Sequence, residues 1–166
     1  MDKLLVKFLS RRRLRRVTVF MKLITKIGNG PLWAVLSVLF LFINIYIGIA
    51  LIIALLSQIV LQKILKQMFH RKRPYVAHDD ILFIMSPPDR FSFPSGHAAG
   101  AFVFVFVFHY LFPVLFIPML ILASIIAFSR MYLGLHYPSD ILAGILLGFV
   151  CAKIGIFLAY DVLAFL

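Results

Sequence analysis

The chain has 166 residues, 63% of them hydrophobic, a mean hydropathy of +1.05, and 17 Lys+Arg against six acids, all aspartate. A water-soluble domain of this size cannot bury that much apolar surface, so a bilayer must cover it, as one compact membrane domain. The cationic excess suits anionic lipid head groups, whereas nucleic acid is disfavoured as a partner because no recognition module accompanies the charge.

Residues 1–27 mix apolar Leu4, Leu5, Phe8, Val17, Val19 and Phe20 with basic Arg11, Arg12, Arg13, Arg15 and Arg16. Such a segment cannot cross hydrocarbon. It predicts an amphipathic helix lying at the interface, which serves equally as a positive-inside anchor. It has no continuous apolar region and no evident small-residue cleavage site, so no cleaved signal peptide is expected. Gly28-Asn29-Gly30-Pro31 ends this arm and opens residues 28–166, the expected membrane domain.

The apolar run from Leu32 to Gln62 is too long for one span of about 20 residues, and Asn44 lies inside it. The run predicts a short helix over 31–43 and a longer one over 46–69, ending in the basic cluster Lys63, Lys66, Arg71, Lys72 and Arg73. Residues 70–94, with Pro74, Pro87, Pro88, Pro94, Asp79, Asp80, Asp89 and Arg90, form a polar loop long enough to be functional. A third span runs from Pro94 to about Phe112. Its Phe102–Phe108 segment has strand-like composition but is expected to be helical, because a lone strand in lipid leaves its backbone unpaired. Pro113 and Pro118 bracket the turn into a fourth span, about 116–132, and Gly134 breaks it. Pro138 starts a fifth span reaching Phe157 or beyond, in which Gly144 and Gly148 signal close helix packing and Cys151 packs in the core. The expected fold is all-α: about five transmembrane helices plus the interfacial arm.

Three polar patches sit at the ends of these runs: Lys66-x6-Arg73-Pro74, Pro94-Ser95-Gly96-His97, and Ser129-Arg130-x5-His136-x3-Asp140. Lys66, Arg73 and Arg130 can supply the charge that a phosphoryl group in transfer demands, although Lys66 and Arg73 also read as a positive flank. The second patch reads as a helix start, whose free N–H groups favour anions. Gly96 permits close approach there, and Ser95 can cap the helix or donate to a phosphate oxygen. Asp140, in the first turn after Pro138, can accept from one nitrogen of His136 and leave the other free to attack; a structural His–Asp pair fits the spacing equally. His70, His78 and His109 read as loop or interfacial residues. The paired ligand spacings of a zinc site are absent, so no metal or cofactor is expected.

These patches match, in order and without a gap, the three-part signature of the type 2 phosphatidic acid phosphatase (PAP2) superfamily, and the chain resembles that family over residues 66–140. Gly28-Asn29-Gly30 resembles a common upstream feature. The resemblance implies that His136 is the nucleophile and forms a phosphohistidine, that Asp140 orients it, and that His97 protonates the leaving oxygen and then helps activate water. It further implies that Lys66, Arg73, Ser95, Gly96 and Arg130 hold the phosphoryl oxygens. Opposite protonation demands on the two histidines predict a bell-shaped pH profile.

The implied activity is metal-independent hydrolysis of a phosphomonoester or pyrophosphate on a bacterial membrane lipid. Lipid A phosphate, phosphatidylglycerol phosphate, undecaprenyl diphosphate and phosphatidic acid all remain open. A vanadium-dependent haloperoxidase, similar to this family at the same pocket, and a non-catalytic lipid-binding scaffold are the alternatives. Many membrane members have six spans where five are expected here, with the arm in place of the first. Sixteen of the 17 cations fall on the site's face, Lys153 being the exception, which the positive-inside rule reads as cytoplasmic. The family resemblance instead implies an inner-membrane protein with its site facing the periplasm or exterior, and that orientation is the expectation.

Overall fold

The computed structural model describes residues 2–87 and 89–164. Eight α-helices follow one another among them: α1 (Asp2–Arg11), α2 (Arg15–Ile27), α3 (Gly30–Ile43), α4 (Ile45–Phe69), α5 (Pro74–Ala77), α6 (Gly96–Leu111), α7 (Phe116–Tyr132) and α8 (Pro138–Ala164). A 3₁₀ turn, Pro113–Leu115, leads into α7. No strand forms among the described residues beyond an isolated bridge between Lys72 and Phe91.

The helix boundaries have local causes. Asn44 leaves the helical region and its side chain accepts from the Ile47 N–H at 3.1 Å, which divides the long apolar run into α3 and α4. Pro31 and Pro138 sit in first turns, where a missing N–H is harmless. Gly134, at φ 78°, takes the left-handed backbone that carries the chain off α7.

α6 is the central element. Packed by α4, α7 and α8, it is almost entirely buried from Ala98 to Phe108. The strand-like Phe102–Phe108 segment is therefore helical, with its backbone bonds satisfied internally as an apolar environment demands. Its aromatic rings fill the centre: Phe104 meets Trp33 of α3, and Phe108 meets Phe40. Cys151 is buried in the same core. Gly144 and Gly148 lie where a Cβ would stand 2.6 Å from the Ser95 carbonyl and 2.7 Å from that of Ala99, so α8 touches the backbone of α6 directly.

Among the described residues, three helical stretches are long and apolar enough to cross a membrane: Ile45–Phe69, Pro113–Tyr132 and Pro138–Ala164. A fourth arises if α2 and α3, bent by 49°, act as one span. α6, at 16 residues, falls short of that length. Enclosed by neighbouring helices, it need not present a full bilayer's thickness of apolar surface to lipid. Of the five spans read from the sequence, length and composition alone therefore account for three, or four with the bent pair.

The arm differs from the single interfacial helix expected. It is two helices, because Arg12–Leu14 leave the helical path and let Arg13 turn inward. The Arg13 guanidinium donates to the Tyr132 carbonyl at 3.0 Å and to that of Leu82 at 2.6 Å. Val6 is buried with Ile81 and Tyr137, and Met21 with Tyr132, Leu133 and Leu135, so the arm packs on protein at the ends of α7 and α8.

Candidate active site

The ends of α4 and α7 and the starts of α6 and α8 meet on one face. α4 closes at His70, whose left-handed φ of 45° turns the chain so that Arg71–Arg73 cross the helix ends. Lys66, in the last turn of α4, is buried and holds both carboxylate oxygens of Asp89 at 2.8 Å. Arg73, also buried, donates to Asp89 Oδ1 at 2.8 Å, to the Leu135 carbonyl at 2.9 Å and to His136 Nε2 at 3.2 Å. Burial opposes the charge on Asp89. Lys66 and Arg73 prevail and hold its carboxyl below the usual carboxylate value. Arg130, buried at the end of α7, donates to Thr25 Oγ1 at 2.6 Å, and its Nε has no partner among the described residues.

The two signature imidazoles present opposite faces of the same chemistry. An Arg N–H only donates, so His136 Nε2 must accept from Arg73, which leaves the ring proton on Nδ1. Nδ1 faces Asp140 Oδ2 at 3.6 Å, too far for a hydrogen bond in this state. Burial pushes His136 well below its ordinary value, and Arg130, Arg73 and Lys66 push it the same way, so the ring is neutral and its one lone pair, on Nε2, is turned to Arg73. His97 Nε2–H instead donates to Asn29 Oδ1 at 3.0 Å. Gly28 makes that contact fit: a Cβ there would lie 2.8 Å from His97 Cδ2.

Of the eight residues singled out by sequence, His97, His136, Lys66, Arg73, Gly96 and Arg130 line one cavity of about 820 Å³. Ser95 and Asp140 are buried behind its wall. The Ser95 hydroxyl caps α6 by accepting from Ala98 N–H at 3.4 Å, and its own N–H donates to the Asp140 carbonyl at 3.0 Å, tying the starts of α6 and α8 together. Asp140 Oδ2 accepts from Tyr137 N–H at 2.8 Å and Oδ1 from Arg71 at 2.6 Å. His70, His78 and His109 lie apart, against Phe91, Tyr137 and Phe116 respectively. Among the described residues, no group of three His, Cys, Asp or Glu side chains could hold a metal ion.

Sequence reasoning missed the roles of Asp89 and Arg71. The one available hint was scarcity: six acids among 17 cations will each be contested.

The model of the PAP2 superfamily matches residues 46–162. This chain belongs to that superfamily. It is a hydrolase, a membrane lipid phosphatase of the PAP2 type. An undecaprenyl-diphosphatase of Sulfolobus acidocaldarius is 29% identical over 150 residues, 87% of this chain and 71% of its own length. A lipid A 1-phosphatase of Rhizobium johnstonii is 33% identical over 107 residues; the match covers 62% of this chain and only 44% of that relative. Among solved structures, Aquifex aeolicus LpxE superposes with a TM-score of 0.81 at 30% identity, covering 91% of this chain and 92% of that one. The PAP2-type phosphatidylglycerolphosphate phosphatase of Bacillus subtilis gives 0.74 at 25% identity, covering 96% and 83%.

Proposed function

We propose that this PAP2 phosphatase removes phosphate from a phosphomonoester or pyrophosphate on an anionic membrane lipid through a phosphohistidine at His136. The observation that carries the reading is the pair of imidazoles on one cavity wall, His136 accepting at Nε2 and His97 donating from Nε2, amid Lys66, Arg73 and Arg130. The three cations hold the phosphoryl oxygens at the start of α6, where the Gly96 N–H of the first turn is left to the anion and Ser95 shapes the turn.

His136 Nε2 attacks phosphorus. The new N–P bond forms as the P–O bond to the lipid breaks, and His97, which becomes imidazolium once the negative phosphate is bound beside it and offsets the cations, gives its proton to the leaving oxygen. The attacking ring becomes cationic, which draws its Nδ1–H toward Asp140. Water then attacks phosphorus, His97 takes its proton, and the N–P bond breaks to release inorganic phosphate. No step on this route calls for a metal.

The relatives named undecaprenyl-diphosphatase, lipid A 1-phosphatase and phosphatidylglycerophosphatase B support a substrate that couples phosphate to a long lipid. The cavity supports it too, because apolar side chains of α3 and α4 continue its wall away from the cations. In this reading α3, α4, α6, α7 and α8 cross the inner membrane, and α1 and α2 lie at the interface on the site's side, which faces outward.

Phosphate release from a panel of lipid phosphates in the presence of chelator tests the proposal. Wild type should act on at least one lipid, and His136→Ala should lose about three orders of magnitude or more in kcat. Equal release by the two proteins would overturn it.

A further inference from the structure

Beyond the phosphate site, the same cavity carries polar groups that phosphoryl transfer does not use. Trp33 is 1% exposed, lines the cavity, and its Nε1–H has no hydrogen-bond partner among the described residues. A buried donor left unpaired is rare and expensive, and it marks a place where a ligand acceptor belongs. Beside it, Gln58 is 4% exposed and donates to Gln62 Oε1. That bond leaves the Gln62 amide N–H groups for another acceptor.

These groups sit together. A Cβ at Gly100 would lie 3.8 Å from both Gln58 Oε1 and Trp33 Cδ1, the ring carbon bonded to Nε1. Gly96, whose missing Cβ makes room for the Gln62 amide, begins the same helix. Gln62 and Gln58 lie four and eight residues before Lys66 on α4. They are therefore about 6 and 12 Å along the axis from the cation that would meet phosphate. Past them the wall is hydrocarbon, from Val38, Ile52 and Leu56.

We propose that Trp33 Nε1–H and the Gln62 amide, which Gln58 orients by donating to its Oε1, form a second subsite that receives the carbonyl oxygens of an acylated lipid, so that the substrate is an acyl ester or amide rather than a polyprenyl phosphate. This rests on the phosphatase reading and narrows its substrate class. In a glycerophospholipid or an acylated sugar phosphate, carbonyl oxygens lie a few bonds from the phosphate, where the Trp33 and Gln62 N–H groups wait. A polyprenyl chain is hydrocarbon from its first carbon onward and leaves all of them unpaired. A site built to hydrogen-bond a substrate group discriminates strongly against an analogue lacking it.

Trp33 is the chain's one tryptophan, so its fluorescence reports the subsite directly, independent of turnover. The test uses the full-length His136→Ala protein in detergent, titrated with dihexanoyl phosphatidic acid, its dihexyl ether analogue, and a short polyprenyl phosphate. The diacyl lipid should shift Trp33 emission and bind about tenfold or more tighter than either analogue. Gln58→Leu combined with Gln62→Leu should reduce that preference to about threefold or less, while all three lipids still bind through phosphate. Equal affinity for ester and ether, or tighter binding of the polyprenyl phosphate, would overturn the proposal. Wild-type phosphate release, measured alongside, separates the two readings: discrimination without any turnover sinks the phosphatase mechanism and leaves the subsite standing.

Discussion

Asp140 is held more firmly by Arg71 than by His136. Its Oδ1 accepts from Arg71 at 2.6 Å and its Oδ2 from Tyr137 N–H at 2.8 Å, while His136 Nδ1 stands 3.6 Å away. Arg71 in turn bonds Ser139 and Asp2 and lies over the Tyr137 ring. If Asp140 orients His136, Arg71 positions Asp140. Arg71→Met should then lower kcat about tenfold with KM nearly unchanged, and Arg71→Lys should recover part of the loss; steady-state kinetics on the preferred lipid reads that split. Asp89 makes the opposite argument, because its carboxylate already occupies Lys66 and Arg73, the cations a phosphate needs. Phosphate must displace it, so Asp89→Asn should strengthen inhibition by inorganic phosphate, by about tenfold. The depressed proton affinity of His136 sets the acid side of the pH profile. A base whose value is lowered stays unprotonated to lower pH, so the acid limb of kcat/KM should fall below the ordinary histidine value of 6.5, not at it. That Lys66, Arg73, His97, Arg130 and His136 gather at one cavity was legible, because the signature fixes their types and spacing. The roles of Asp89 and Arg71 were not, because both residues lie in the irregular segment 70–94, where no periodicity links them to their partners: Lys66 and Arg73 for the one, Ser139, Asp140 and Asp2 for the other.

The contact between α6 and α8 registers the site. Ser95, at the start of α6, is bonded to Asp140, at the start of α8, and Gly144 lies one turn further along α8 against the Ser95 carbonyl. Even Gly144→Ala would place a Cβ 2.6 Å from that oxygen, and a backbone carbonyl cannot step aside without moving the turn that carries His97. That substitution should cost about 1–3 kcal/mol of stability by overpacking, seen as a lower melting temperature in detergent. Activity should fall further than stability explains, because the two histidines lose their common frame. The small-residue spacing was readable at Gly144 and Gly148. Gly155, which meets the backbone of α4 at Ala50, continues the same idea but breaks the four-residue rhythm. The helix breaks at Asn44 and Gly134 were readable from residue type. The split of the arm was not. Arg13 leaves the helix for two carbonyls contributed by residues 82 and 132, a tertiary cause with no local sign.

At the scale of the whole molecule, charge and architecture disagree about orientation. The arm sits on the site's face: Asp2 bonds Arg71 and Ser139, and Thr25 bonds Arg130. Lys153, packed on the Tyr110 ring, marks the other end. Counted as charge alone, the site's face carries the cations and belongs in the cytoplasm. The count overstates the signal. Lys66, Arg73 and Arg130 are buried, and Arg13 and Arg71 are bound to protein partners, so much of this charge serves the site and is not free to meet anionic lipid. The exposed remainder, such as Arg12, Arg15 and Arg16, can lie among phosphates of either leaflet. With the site facing outward, a single cysteine at Arg16 in a Cys151→Ala background should react with a membrane-impermeant maleimide on intact spheroplasts. One at Val114, exposed at the opposite end, should react only after lysis. The reverse pattern would put phosphate release in the cytoplasm and return the arm to its simpler role as a positive-inside anchor. Labelling of both sites on intact spheroplasts would break the premise that the arm and the end of α6 lie on opposite faces.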